Sequence, residues 1–565
     1  MTLSNLFDVL SGNINIVIIL LFAVIPLYIG SAASTHSVNT INDYFLCNRS
    51  LGTLPLFFTT YATWWSTFAF ISSTSSFYYH GTIYLIALGW NALFGVLLLV
   101  YGKRLWSACR EFNYRTIIDY LDDSYQSKSL NTLSLIAMTA ITIPYMMIQF
   151  VGGGIAIELA TGSLFPWRLN VLIFFIIMII YLWSGGLRSV VWTDTLYAVM
   201  ILLGMLGTGY ILTKIAGGPA NIFATLMETD TDAFKLPDTI NGIKGYGFWI
   251  SLLILMPAGE IMTPQIWTRI FAVKHRSTFN VMPVMLSFAT VAYIGSALAG
   301  SASKVLIPNY VGKSDNLLPT VLMNHTSTAV MGIIMCCIAA AALSTVNSQL
   351  HALSQIITLN FYKARINPNA TERHTVTVAK VIILLIAIIT YMLLILYDLT
   401  TIFGITLLAF GCVAQFIVPV TAALYANVHD SLPAISGIVT GIAITLLLAI
   451  GNFCIYPVHP SIIGLIANLA VFLIVNRVRN PKKKHALLKS LRFSLSELSS
   501  SMKVTWGLII SVFLLMGSPV VLVLSELNKT ILGYPAISVY TISLWLLLCI
   551  LCLIAYLQKW GDKDI

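Results

Sequence analysis

The sequence predicts an all-α polytopic membrane protein with about fifteen transmembrane helices. Three observations carry that prediction. Of 565 residues, 58% are hydrophobic and only 9% are charged, against roughly 25% charged in soluble chains. Apolar runs long enough to cross a bilayer recur along the whole chain. Basic residues gather in alternate connections between those runs, as the positive-inside rule expects.

The runs lie near 13–32, 53–79, 82–101, 131–160, 168–185, 189–214, 247–272, 280–302, 328–362, 374–396, 399–424, 432–452, 459–477, 505–524 and 535–557. The first lacks a basic leader and a clear cleavage site, so it reads as a retained span. The connections after the third, fifth, seventh, ninth and thirteenth runs hold Lys103, Arg104, Arg110 and Arg115; Arg188; Arg269, Lys274 and Arg276; Lys363, Arg365 and Arg373; and Arg477, Arg479, Lys482, Lys483, Lys484, Lys489 and Arg492. The alternate connection near 217–245 mixes Lys235 and Lys244 with Glu228, Asp230, Asp232 and Asp238. The expected N-terminus is therefore outside and the C-terminus cytoplasmic, in a plasma membrane of bacterial inner-membrane type. The +10 net charge is accounted for by topology, and no nucleic-acid partner is needed. The partners expected are the lipid bilayer and a small-molecule solute.

Eight cysteines are scattered and give no disulfide framework. Cys549 and Cys552 make a CxxC inside an apolar run, where they read as small apolar filler. The stretch from Asn476 to Lys503, NRVRNPKKKHALLKSLRFSLSELSSSMK, is basic and then Ser-rich. It reads as a cytoplasmic loop on anionic lipid or as a hinge to the final two spans.

Polar residues inside three runs point to a site. In AAAALSTVNSQL, residues 339–350, Ala341, Ser344, Thr345 and Ser348 fall on one helix face. A small residue permits close approach of another backbone, and hydroxyl oxygens suit a hard cation. The same pattern also serves helices that bond their own carbonyls or adhere to each other. The stretch TTYATWWSTFAFISSTSS, residues 59–76, is rich enough in hydroxyls for a helix that lines water or unwinds. In MPAGEIMTPQIW, residues 256–267, Pro257, Gly259 and Pro264 predict a broken helix around Glu260. A carboxyl at that depth is costly and should face a cavity or a partner. These two spans are five apart and opposite in direction, the spacing of a five-plus-five inverted repeat.

Five segments then resemble the sodium:solute symporter family: NDYFLCNRSLGTLP from Asn42, PYMMIQFVGGG from Pro144, YLWSGGLRSVVWTDTLYAVMILLG from Tyr181, TPQIWTRIFAVK from Thr263 and ALSTVNSQLHALSQIITLNFYK from Ala342. The resemblance covers about residues 10–480. It implies a LeuT-type fold whose ten core helices are the second to eleventh spans. The divisions expected are 1–50, an extra span and lead-in; 51–212 and 213–430, the two five-helix repeats; 431–480, two accessory spans; 481–503, the linker; and 504–565, a final pair. It implies a sodium ion held by the carbonyls of Ala62, Trp65 and Ala341 and the hydroxyls of Ser344 and Thr345, with no organic cofactor. It implies solute contacts from Thr63, Ser66, Tyr145, Gln149, Glu260 and Pro264.

Departures from the family pattern are Trp64, Tyr197 and Glu260. Glu260 favours a solute with an amine or guanidinium, an amino acid or other amine-bearing metabolite. Asp194 and Arg188 are expected to pair with each other near the cytoplasmic surface. The activity implied is sodium-coupled symport of a small polar solute by alternating access, not an enzymatic reaction. A transporter-like sensor and a proton-coupled carrier are the alternatives.

Overall fold

The computed structural model describes residues 14–35, 38, 40–161, 165–240, 242–397, 402–451, 457–479, 499–526, 530–531 and 534–561. Most of the basic linker, residues 480–498, lies outside the described residues. Helix forms on every apolar run. In chain order the principal helices are α1 (Ile14–Ser34), α2 (Thr53–Trp64), α3 (Ser73–His80), α4 (Ala87–Phe112), α5 (Lys128–Ala160), α6 (Trp167–Ile215), α7 (Gly245–Ile261), α8 (Pro264–Ala272), α9 (Thr278–Ala289), α10 (Ala292–Leu306), α11 (Thr328–Ile356), α12 (Glu372–Leu396), α13 (Ile402–Val413), α14 (Ser431–Ile450), α15 (Pro460–Arg479), α16 (Ser500–Met516), α17 (Val520–Glu526) and α18 (Ala536–Leu557).

Among the described residues, eleven helices are long and apolar enough to cross a membrane, or thirteen if each of two bent pairs is one span. That is fewer than the fifteen runs, for two reasons. The run at 53–79 is cut at Trp65, which leaves α2 as a half-helix. The run at 168–185 supplies a shorter apolar helix, Trp167–Ile180, continuous with the next span. Gly186 makes the kink between them, with φ of 57° and a Cβ position only 2.5 Å from the Tyr44 carbonyl oxygen. Only glycine tolerates both conditions.

The predicted breaks are present. In the first core helix, the N–H of Trp65 still bonds Tyr61 O at 2.9 Å, but ψ at Trp65 turns to 76°. The chain resumes as a π-helical turn, Phe68–Ser72, that runs into α3. In the sixth core helix, α7 and α8 meet at 54°. Pro264 occupies the first turn of α8, where its missing N–H leaves no bond unmade.

The breaks are buried between helices from both ends of the core. α11 packs on α2, α5, α6 and α1, and α10 packs on α3. Gly300 of α10 permits a close approach to α3: a Cβ there would lie 2.5 Å from Thr74 O. The final pair packs on α4 and α9. The indole N–H groups of Trp545 and Trp249 fix it, donating to Ser287 O at 3.0 Å and Met516 O at 2.7 Å. Cys549 and Cys552 are buried and unpaired in α18, in keeping with a packing role.

Candidate functional site

The hydroxyl face of α11 meets the break in the first core helix. Ser344 Oγ donates to Ala62 O at 2.7 Å and to Ala341 O at 3.1 Å. Thr345 Oγ1 donates to Thr63 O at 3.0 Å. Thr63 Oγ1 and Ser348 Oγ share a hydrogen bond at 3.0 Å. All of these residues are buried. Ala62, Ala341 and Ser344 thus come together. Thr345 touches the neighbouring carbonyl of Thr63. Trp65 lies in the break itself, with its ring stacked on Tyr61 at 4.3 Å.

The donor set fits a monovalent cation. It consists of neutral carbonyl and hydroxyl oxygens at a point where a helix has released its own carbonyls. A hydroxyl that donates to one carbonyl keeps lone pairs for an ion, so its rotation can exchange one for the other.

Of the expected solute contacts, Ser66 and Gln149 lie at the first break and Glu260 and Pro264 at the second. Gln149 of α5 accepts from Thr67 Oγ1 at 2.8 Å and from Thr67 N at 3.3 Å, capping the turn that begins there. Its amide nitrogen is buried without a partner. Tyr145 packs edge-on against Phe410 at 5.0 Å, and Ser66 Oγ accepts from Phe68 N at 3.2 Å. Glu260 is fully buried in the last turn of α7, and neither carboxyl oxygen has a hydrogen-bond partner. The indole nitrogen of Trp65 is also unpaired. Unpaired buried polar atoms are uncommon in proteins; here Gln149 Nε2 and Trp65 Nε1 lie at the first break and the Glu260 carboxyl at the second. Trp64, where the family pattern leads one to expect a polar group, points its N–H at Asn91 Oδ1 instead.

Two charge expectations are overturned. Asp194 and Arg188 do not pair with each other. Arg188 pairs at 2.7 Å with Asp43 of a short helix, Ile41–Leu46, that precedes α2. Asp194 pairs with Arg269 at 3.1 Å, and both are buried. Arg269 is therefore not the loop cation that its place near the end of a run suggested. Its Nη2 also donates to Ser348 Oγ at 2.6 Å, its Nε to Thr59 Oγ1 at 3.0 Å and its Nη1 to Gln265 O at 3.0 Å. Thr59 in turn donates to Asp194 at 2.6 Å. This network joins α2, α6, α8 and α11, one helical turn from Ser344. The signal for it in the sequence was Arg269 in an apolar span, which requires an acid; Glu260 in its own span and Asp194 in another were both on offer, and the packing chose Asp194.

Cavities of about 430 Å³ and 330 Å³ lie away from the break. The larger is walled by Phe77, Phe223, Ile294 and the start of α18, and the smaller by Glu158, Trp167, Lys313 and Asp315. The residues at the break, Ala62 to Thr67, are buried.

The model of the sodium:solute symporter family matches residues 44–441. The chain belongs to that family. Among its relatives, the sodium/pantothenate symporter of Haemophilus influenzae is 27% identical over 462 residues, covering 80% of this chain and 93% of that one. The sodium/pantothenate symporter of Escherichia coli is 28% identical, covering 77% and 90%. A monocarboxylate transport permease protein of Rhizobium johnstonii is 24% identical, covering 77% and 90%. A sodium-coupled sialic acid symporter in a substrate-bound, outward-open state aligns with TM-score 0.72 at 17% identity, covering 84% of this chain and 99% of that one. Mhp1, a nucleobase-cation-symport-1 family transporter, aligns with TM-score 0.51 at 14% identity, covering 80% and 96%. The fold of the symporter is thus LeuT-type, and the chain is a membrane transporter of small solutes rather than an enzyme.

Proposed function

We propose that this symporter couples the inward movement of sodium to uptake of a small organic anion of the pantothenate or monocarboxylate kind. The observation that carries the sodium part is the contact of Ser344 Oγ with Ala62 O at 2.7 Å, where the first core helix breaks. An ion there touches the first and eighth core helices at once, so its presence favours the conformation in which they meet. Its binding then differs between conformations, which is what coupling requires. One sodium moved with a monovalent anion carries no net charge, so the roughly 2.3 kcal/mol that 100 mV supplies per charge cancels, and the sodium gradient alone drives accumulation, about tenfold for a tenfold gradient at one ion per solute.

The solute class is supported by the names of the relatives. Pantothenate and monocarboxylates are anions, so the amine-bearing solute suggested by Glu260 alone is set aside. Ser66, Tyr145, Gln149, Glu260 and Pro264 would line the solute side, and Thr63 would stand between ion and solute. The orientation that fits the basic connections has the N-terminus outside and the C-terminus in the cytoplasm of a bacterial cell.

The test is uptake of radiolabelled pantothenate into proteoliposomes under an inward sodium gradient. Stimulation by sodium over potassium is expected. Equal uptake under a proton gradient without sodium would favour a proton-coupled carrier. Sodium and solute binding without any uptake would favour a sensor.

A further inference from the structure

Glu260 is the least satisfied charged side chain at the break. Its carboxyl is fully buried, and both oxygens lack a hydrogen-bond donor. Its own helix makes this worse. Glu260 is the penultimate residue of α7, where the carbonyl ends of the helix place partial negative charge. The nearby N–H groups are already spent on backbone oxygens. Thr263 N and Thr263 Oγ1 both donate to Glu260 O, at 2.9 Å and 2.7 Å, and Met262 N donates to Gly259 O at 3.1 Å.

The neighbouring elements offer little relief. From α8, Arg269 acts on Glu260 electrostatically, but all three of its nitrogens are engaged by Asp194, Ser348, Thr59 and Gln265. From α5 the titratable group is Tyr145, which feels the charge of Glu260. α13 presents the ring of Phe410, with Gly259 pressed against its backbone, and its thiol, Cys412, is buried. On α4, Tyr101 shares a hydrogen bond with Thr421 and Arg104 donates to Leu424 O, with Lys103 beside them. An ionised carboxylate left this way is penalised by several kcal/mol. An anionic solute in the adjoining site would add repulsion.

We propose that Glu260 is a proton-binding site that fills when the symporter closes around an anionic solute. The proton comes from bulk water as the solute enters and returns to water when the site reopens. The neutral acid then has an O–H to donate to the solute's carboxylate. This rests on the anionic-solute reading above, and nothing in the sodium site requires it.

The experiment uses purified full-length protein in lipid nanodiscs, with sodium and pantothenate as probes. In weakly buffered solution, pantothenate binding should remove about one proton per solute from the medium. The infrared difference spectrum should gain a protonated-carboxyl band that is missing in E260Q. Apparent affinity should rise about tenfold for each unit fall in pH across the range where the site fills, and E260Q should flatten that slope whatever its absolute affinity. Solute binding with no proton uptake and no E260Q-sensitive band would overturn the proposal. Should pantothenate not bind at any pH, the solute reading fails instead. The proton site is then judged with a monocarboxylate, lactate, as the probe, where binding with no proton uptake and no E260Q-sensitive protonated-carboxyl band, or no binding at any pH, would overturn it.

Discussion

Asp194→Asn should be among the most damaging isosteric substitutions in this protein. Asparagine keeps an oxygen for Thr59 and Arg269, which now lie 2.6 Å and 3.1 Å from Asp194 Oδ2, so the change removes charge and little else. Arg269 is then a buried cation without a counter-ion. Breaking a buried pair in this way costs about 3–5 kcal/mol. At about 1.4 kcal/mol per tenfold, this shifts the balance between the closed arrangement and any arrangement that wets Arg269 by roughly two to three and a half powers of ten. The assay is a double-mutant cycle on purified protein, measuring resistance to unfolding for Asp194→Asn, Arg269→Gln and the pair. Removing both charges leaves no stranded ion, so the double variant should recover about 2 kcal/mol or more relative to the sum of the singles. Strict additivity would refute the reasoning. It would mean that Asp194 and Arg269 act separately and do not lock α2, α6, α8 and α11 together.

Four further outcomes are expected. Ser344→Ala combined with Thr345→Ala should raise the sodium concentration for half-maximal uptake at least about tenfold, while the lost hydrogen bonds cost about 0.5–1.5 kcal/mol each; unchanged sodium dependence would remove the ion site. Gln149→Leu should loosen the turn capped at Thr67 and raise the solute KM more than the sodium requirement, as measured in the same proteoliposomes. Trp249→Phe with Trp545→Phe should free the final pair from the core, seen as earlier proteolysis of the linker, with about 1 kcal/mol lost per missing bond. Asp315 is held above the usual carboxylate range by burial, against the pull of the Ile402 N–H and Lys313. A group whose value is raised on folding weakens the fold at higher pH, where it is charged, and the penalty fades as pH falls through the raised value. Asp315→Asn should therefore increase thermal stability at neutral pH, with the difference from wild type closing in acid.

Helix content and the positions of the breaks were legible in the chain because they depend on local chemistry. A run of apolar residues in lipid must be helical to satisfy its backbone, and Pro257 and Pro264 near Gly259 interrupt that helix wherever it packs. The hydroxyl face of α11 was legible for the same reason, since helical spacing alone puts Ala341, Ser344 and Thr345 together. What faces that stripe does not follow from helical spacing: the family resemblance implied Ala62 beside Ser344, while that Thr345 meets Thr63 and that Gln149 caps Thr67 depend on contacts spanning 282 and 82 positions in the chain.

The sequence by itself determined that this is a helical membrane protein with an interrupted, hydroxyl-lined centre and an acid at the second interruption. Only the tertiary structure decided the pairing of charges. Arg188 went to Asp43, and Arg269 was drawn inward to Asp194. An ion's partner in a low-dielectric interior is whichever opposite charge the packing brings within reach, and proximity along the chain does not supply that.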